Sequence, residues 1–165
     1  YDQAVIAAHA DQALALLADP SPDEKRLLGV WTYAPNKTIL HKDRLFLPQS
    51  EDACASWNYT RARAAGDTDP VTLTYDMTRL QKLGVRDRVC VTLNPWKPVS
   101  DAHSIREMLY EHPMYSFEAI KSQKELPLLN GQQNTFFCGS YFGYGFHEDG
   151  VRSAVDVGKH FGIEL

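Results

Sequence analysis

The chain has little of what most functional signatures are built from. Among its 165 residues there are only three cysteines, Cys54, Cys90 and Cys138. They are odd in number, far apart and without C-x-x-C spacing, which argues against a disulfide framework or a zinc ribbon. Each lies in an apolar or alternating stretch, as buried thiols of a reducing compartment do, so the expected location is cytoplasmic. No run of Lys or Arg exceeds two, and the formal net charge is −4. A nucleic-acid partner, which needs a basic stripe, is therefore not expected. No apolar stretch approaches the roughly 18 residues of a membrane helix, so no membrane span is expected. Internal repeats and low-complexity tracts are absent. No Ser-His-Asp or Cys-His set has a recognisable local signature, which leaves catalytic residues unassigned. His147-Glu148-Asp149 is the one short run of metal-ligating residue types. Consecutive side chains point in different directions and no second cluster accompanies them, so no metal site is expected.

What remains is an ordinary globular composition, 44% hydrophobic and 23% charged, enough for one compact domain or one and a half. Ala4–Ala8 reads as a short strand, followed by a helix carrying Leu14, Leu16 and Leu17 that Asp11 can cap. Ser21-Pro22-Asp23-Glu24 is a helix start: Ser21 caps, Pro22 takes the first helical position and Glu24 completes a capping box. That helix should end near Gly29. From Val30 to His112 strands dominate: 31–33, 37–41, 54–60, 71–77, 88–93 and 105–111. The clearest alternation sets Val71, Leu73, Tyr75 and Met77 on one face and Thr72, Thr74 and Asp76 on the other. Residues 64–70 form a loop within a hairpin-like return. A short helix or turn follows over 77–83, Asn94-Pro95-Trp96-Lys97-Pro98 is a further loop, and 117–125 is helical. Residues 127–133 connect back to a closing segment. The expected class is α+β: a β-rich insert, residues 30–126, between α/β pieces at 1–29 and 127–165.

The closing stretch Asn134–Gly162 carries the most information. Thr135-Phe136-Phe137-Cys138 is a buried-strand pattern that Gly139-Ser140 breaks, and Gly143, Gly145 and Gly150 line the loop beyond. Apolar residues recur at helical spacing from Val151. Strand, glycine loop and helix N-terminus together suit a phosphate or an electron-rich ring edge, because first-turn N–H groups are unpaired. An ordinary tight strand-to-helix turn has the same pattern.

Phe137-Cys138-Gly139, the aromatic loop Tyr141-Phe142-Gly143-Tyr144 and the string Gly145-Phe146-His147-Glu148-Asp149-Gly150 go further. This segment resembles the C-terminal flavin-binding motif of FAD-dependent amine oxidases and their phytoene-desaturase-like relatives, in particular a bacterial NAD/FAD-binding branch. Residues 1–17, Ser56-Trp57-Asn58-Tyr59, Val91–Pro95 and Tyr110-Glu111-His112-Pro113 fall in that family's order, so the resemblance spans most of the chain. It implies an FAD-dependent oxidoreductase that oxidises a C–N or C–C bond of a small-molecule substrate held by the insert. It further implies that Gly139 and Ser140 line the ribityl–phosphate side and that Gly150 and Val151 offer backbone N–H groups to the flavin. His147 and Glu148 either support the loop or stand beside the flavin. Tyr141, Tyr144, Trp57 and Tyr75 either contact substrate or pack, and His9 follows the first strand where the family approaches its cofactor.

Such an enzyme should open with G-x-G-x-x-G, which grips the FAD pyrophosphate. This sequence has no such motif and begins at Tyr1, directly on a strand-like run. The expectation is a C-terminal fragment of a longer protein, missing an N-terminal dinucleotide-binding segment. Taken alone it should bind FAD weakly or not at all, be inactive, and self-associate through exposed sheet edges. The alternative is a cofactor-free α+β ligand-binding or interaction domain.

Overall fold

The computed structural model describes residues 1–61 and 71–163. The loop expected at 64–70 lies outside the described residues. The fold is α+β, with one parallel and one antiparallel sheet. Two compact units are formed, one from residues 1–34 and 112–165, the other from 35–111.

The first unit begins with β1 (Ala4–Ala7), α1 (Ala10–Leu16) and α2 (Pro22–Leu28). After the second unit it continues with α4 (Phe117–Ser122), β7 (Thr135–Cys138) and α5 (His147–His160). The capping box closes α2 as its sequence dictates. Glu24 N donates to Ser21 Oγ at 3.2 Å and Ser21 N donates to Glu24 Oε2 at 2.7 Å. The start of α1 differs from expectation: His9 is its N-cap, and Asp11 sits in the first turn. β1 and β7 pair in parallel, Ala4 opposite Thr135 through Ala7 opposite Cys138. Beneath them Leu27, Leu28, Trp31, Leu126, Phe137 and Tyr141 form the main core. Trp31 Nε1 donates to Ser122 Oγ at 3.1 Å, which satisfies the one polar atom of that ring. Residues 112–126 belong to this unit rather than to the insert, because Ala119 and Leu126 are fully buried in the same core.

The second unit is built on a five-stranded sheet in the order β3-β4-β5-β2-β6. Its strands are β2 (Tyr33–His41), β3 (Trp57–Thr60), β4 (Thr72–Asp76), β5 (Cys90–Leu93) and β6 (Ser104–Pro113), with α3 (Met77–Leu80) after β4; the first two residues of β2 and the last two of β6 belong to the first unit. The alternation along β4 is as read, but the polar face is the buried one. Thr74 and Asp76 are fully buried, whereas Leu73 and Tyr75 are half-buried. Hydrogen bonding makes this possible. Asp43 N donates to His41 Nδ1 at 3.0 Å, which leaves the proton on Nε2 to meet Thr92 Oγ1 at 2.7 Å. Thr92 Oγ1 in turn lies 2.9 Å from Thr74 Oγ1. Asp76 receives Arg79 N at 3.0 Å and is ion-paired with Arg88. Phe46, Leu47, Cys54 and Val99 pack in the apolar clusters of this unit.

Candidate functional site

Parallel strands followed by helices leave a crevice beyond their carboxyl ends, where α/β folds place ligands. Here β1 runs through Ala8 and His9 into α1, and β7 runs through Gly139 and Ser140 toward α5. Between them lies an open cleft of about 540 Å³ lined by His9, Tyr33, Gly139, Ser140, Tyr141 and Gly150, among others.

The wall opposite β1 is held in place by α5. The helix begins at His147, one turn before the Val151 expected from apolar spacing, so His147 to Gly150 are its first turn rather than loop. Asp149 causes the early start. Its Oδ2 accepts from Tyr144 N at 2.9 Å and Phe146 N at 3.0 Å, while Oδ1 accepts from Arg152 at 2.7 Å. Burial alone would raise its carboxyl pKa. The N–H groups of Phe146 and Tyr144, aided by Arg152, outweigh that and hold it below the usual carboxylate range. Ser153, which no sequence motif marks out, fixes the strand end to the helix. Its Oγ accepts from Gly139 N at 2.9 Å and donates to Gly150 O at 2.8 Å.

The loop glycines separate into two kinds. A Cβ on Gly139 would stand 2.6 Å from Tyr141 Cε1, and one on Gly143 would strike the Asp149 carboxylate. Gly145 has φ +90° and abuts the Tyr115 hydroxyl. The fold itself requires these three. At Gly150 a Cβ would meet only Ser140 N, at an ordinary 3.8 Å. Glycine within a helix costs about 0.5–1 kcal/mol relative to alanine, and no internal contact accounts for that cost at Gly150.

The floor of the cleft is polar and incompletely paired. His9 stacks on Tyr33 with ring centroids 4.3 Å apart and planes inclined by 7°. Ala10 N donates to the Tyr33 hydroxyl at 2.9 Å. Burial pushes the Tyr33 phenol up to about 12, and burial also raises those of Tyr141 and the Cys138 thiol. All three therefore stay protonated and uncharged at neutral pH. Two buried side-chain polar atoms among the described residues have no hydrogen-bond partner: His9 Nδ1 and the Tyr141 hydroxyl. Both residues line this cleft. An unpaired buried group costs about 1–3 kcal/mol, and their coincidence in one place makes this cleft the candidate site.

Of the residues singled out in the sequence, Gly139, Ser140, Gly150, Tyr141 and His9 come together here. Val151 lies beside them on α5 but is 56% exposed, and Tyr144 is 79% exposed. His147 and Glu148 occupy the solvent-facing first turn. Trp57 and Tyr75 belong to the second unit. They are cross-strand neighbours on the sheet face opposite His41, in an edge-to-face contact at 6.2 Å. Among the described residues no three His, Cys, Asp or Glu side chains gather as metal ligands, and no helix is long and apolar enough to cross a membrane. No protein-family model matches the chain, and no curated protein matches it.

Proposed function

We propose that the chain is the C-terminal part of an FAD-dependent oxidoreductase, amine oxidase-like, that oxidises a C–N or C–C bond of a small-molecule substrate. One coincidence carries the reading. In a single cleft beyond two parallel strands lie both unpartnered polar atoms and Gly150, a glycine that internal packing does not require. These residues fit a flat, heteroatom-rich ring. Gly150 leaves the start of α5 open to close approach beside the backbone of Ser140, and the unpartnered His9 Nδ1 and Tyr141 hydroxyl lie among the lining side chains. The bound cofactor would supply the two-electron acceptor. The first turn of α5 contributes partial positive charge nearby. Tyr33, Tyr141 and Cys138 remain neutral, so the cleft offers hydrogen-bonding groups without a competing anion or nucleophile.

The parallel pair supports the rest of the reading. Parallel sheets are normally covered on both faces, yet among the described residues β1 has one partner strand, and Val5 is 49% exposed. Such a pair suits the rim of a larger nucleotide-binding sheet whose other strands come from further polypeptide. Taken alone, the edge would favour self-association. The three cysteines are buried and free, in keeping with a reducing cytoplasm. The test is the upstream coding sequence together with the purified full-length product. A G-x-G-x-x-G fingerprint with an acid about 20 residues beyond it, and a yellow protein with flavin absorbance, are the expected results. A colourless product with no fingerprint would instead leave an α+β binding module.

A further inference from the structure

The loop Asn94-Pro95-Trp96-Lys97-Pro98 takes no part in the flavin cleft, yet it is built with care. Asn94 adopts a left-handed φ of 47°, which Asn tolerates better than most residues. It is tied on three sides: its N–H donates to Lys37 O at 2.7 Å, its Nδ2 to Asn36 Oδ1 at 2.7 Å, and its carbonyl accepts from Thr72 Oγ1 at 2.5 Å. Pro95 and Pro98 then restrict the two residues between them. The loop holds Trp96 48% exposed over a cleft of about 470 Å³, with Ile39, Val99 and both prolines among its walls.

Two lysines and one glutamate also line the cleft. Lys37 is paired with Glu107 at 3.1 Å. Lys97 has no carboxylate partner among the described residues. Its ammonium rests over the rings of Trp96 and Phe46, 4.9 Å and 5.3 Å from their centroids. An incoming amine would have to displace that ammonium beside a second lysine. An anion would meet an unneutralised cation already held in place. We propose that this cleft is a second ligand site, for a small carboxylate whose apolar body lies against Trp96 and whose head pairs with Lys97. The site is independent of the flavin reading.

Titrating octanoate, octanol and octylammonium into the protein while following the three Trp indole N–H resonances tests this. A Trp96→Phe variant assigns the Trp96 signal. Octanoate should shift the Trp96 signal and leave that of buried Trp31 unchanged. Octanol should bind about fivefold more weakly, the scale of one exposed ion pair, and octylammonium more weakly still. Lys97→Gln should reduce octanoate affinity about fivefold without affecting octanol, and Lys97→Arg should restore it. Equal affinity for the three probes, no response at Trp96, or an unaltered Lys97→Gln variant would overturn the proposal.

Discussion

Removing the Asp149 carboxylate should unfasten the start of α5 and with it one wall of the cleft. In Asp149→Ala the N–H groups of Tyr144 and Phe146 lose their acceptor. A hydrogen bond to a charged group contributes about 1.5–3 kcal/mol, but the two share one oxygen and are not additive. The Arg152 pair adds little, because that guanidinium is 57% exposed. The expected loss is about 3 kcal/mol, read as a lower urea midpoint at unchanged slope. Asp149→Asn keeps an oxygen for both N–H groups and gives up only charge and Arg152, so it should cost about 1 kcal/mol. The pH dependence carries a second signature. The folded carboxyl titrates below its ordinary 3.8, so its contribution is full above that value and is lost as pH falls through the depressed folded pKa. Asp149→Ala should lack that acid-limb loss. The reasoning fails if Asp149→Ala costs less than about 1 kcal/mol, or if Asn is as damaging as Ala.

Alanine at the two cleft glycines should act in opposite senses on urea stability. Gly139→Ala drives a Cβ into the buried Tyr141 ring and should cost about 1–3 kcal/mol; Gly150→Ala should gain a few tenths to about 1 kcal/mol. Tyr141→Phe removes a buried hydroxyl with no partner, so without ligand it should be neutral or stabilising in thermal melts; a loss above about 1 kcal/mol would mean that the hydroxyl is paired within the protein. Burial depresses the His41 pKa below its ordinary 6.5, partly offset by Asp43. Stability should therefore be flat above about pH 6.5 and fall below it, by up to about 1.4 kcal/mol per pH unit until the folded pKa is reached. Urea midpoints from pH 8 to 5 would show this, and His41→Gln should flatten the trend.

Local chemistry made part of this legible. The capping box at Ser21–Glu24 and the strand Thr135–Cys138 need only neighbouring residues, and both form as read. The early start of α5 was hidden because Asp149 acts through backbone groups earlier in the loop, which apolar periodicity does not register. The sense of the β4 alternation was hidden for a similar reason. Alternation separates the two faces without saying which is buried, and it is His41, Thr92 and Arg88, brought from other strands and loops, that satisfy the threonines and the aspartate inside. In the cleft, Gly139, Ser140, Gly150 and Tyr141 are singled out through the resemblance of their segment to a flavin-binding motif. The His9–Tyr33 stack joins residues 24 positions apart in sequence, and only the packed fold discloses the unpartnered atoms beside it.

The central claim is that a flavin ring approaches Gly150 beside the backbone of Ser140. Its most direct test is flavin content in the full-length gene product bearing Gly150→Trp, with Gly150→Ala alongside to show that the helix still forms. The account predicts flavin bound by the wild type and absent from the folded Trp variant. Full flavin retention in that variant, or a folded wild type that never carries flavin, would contradict it.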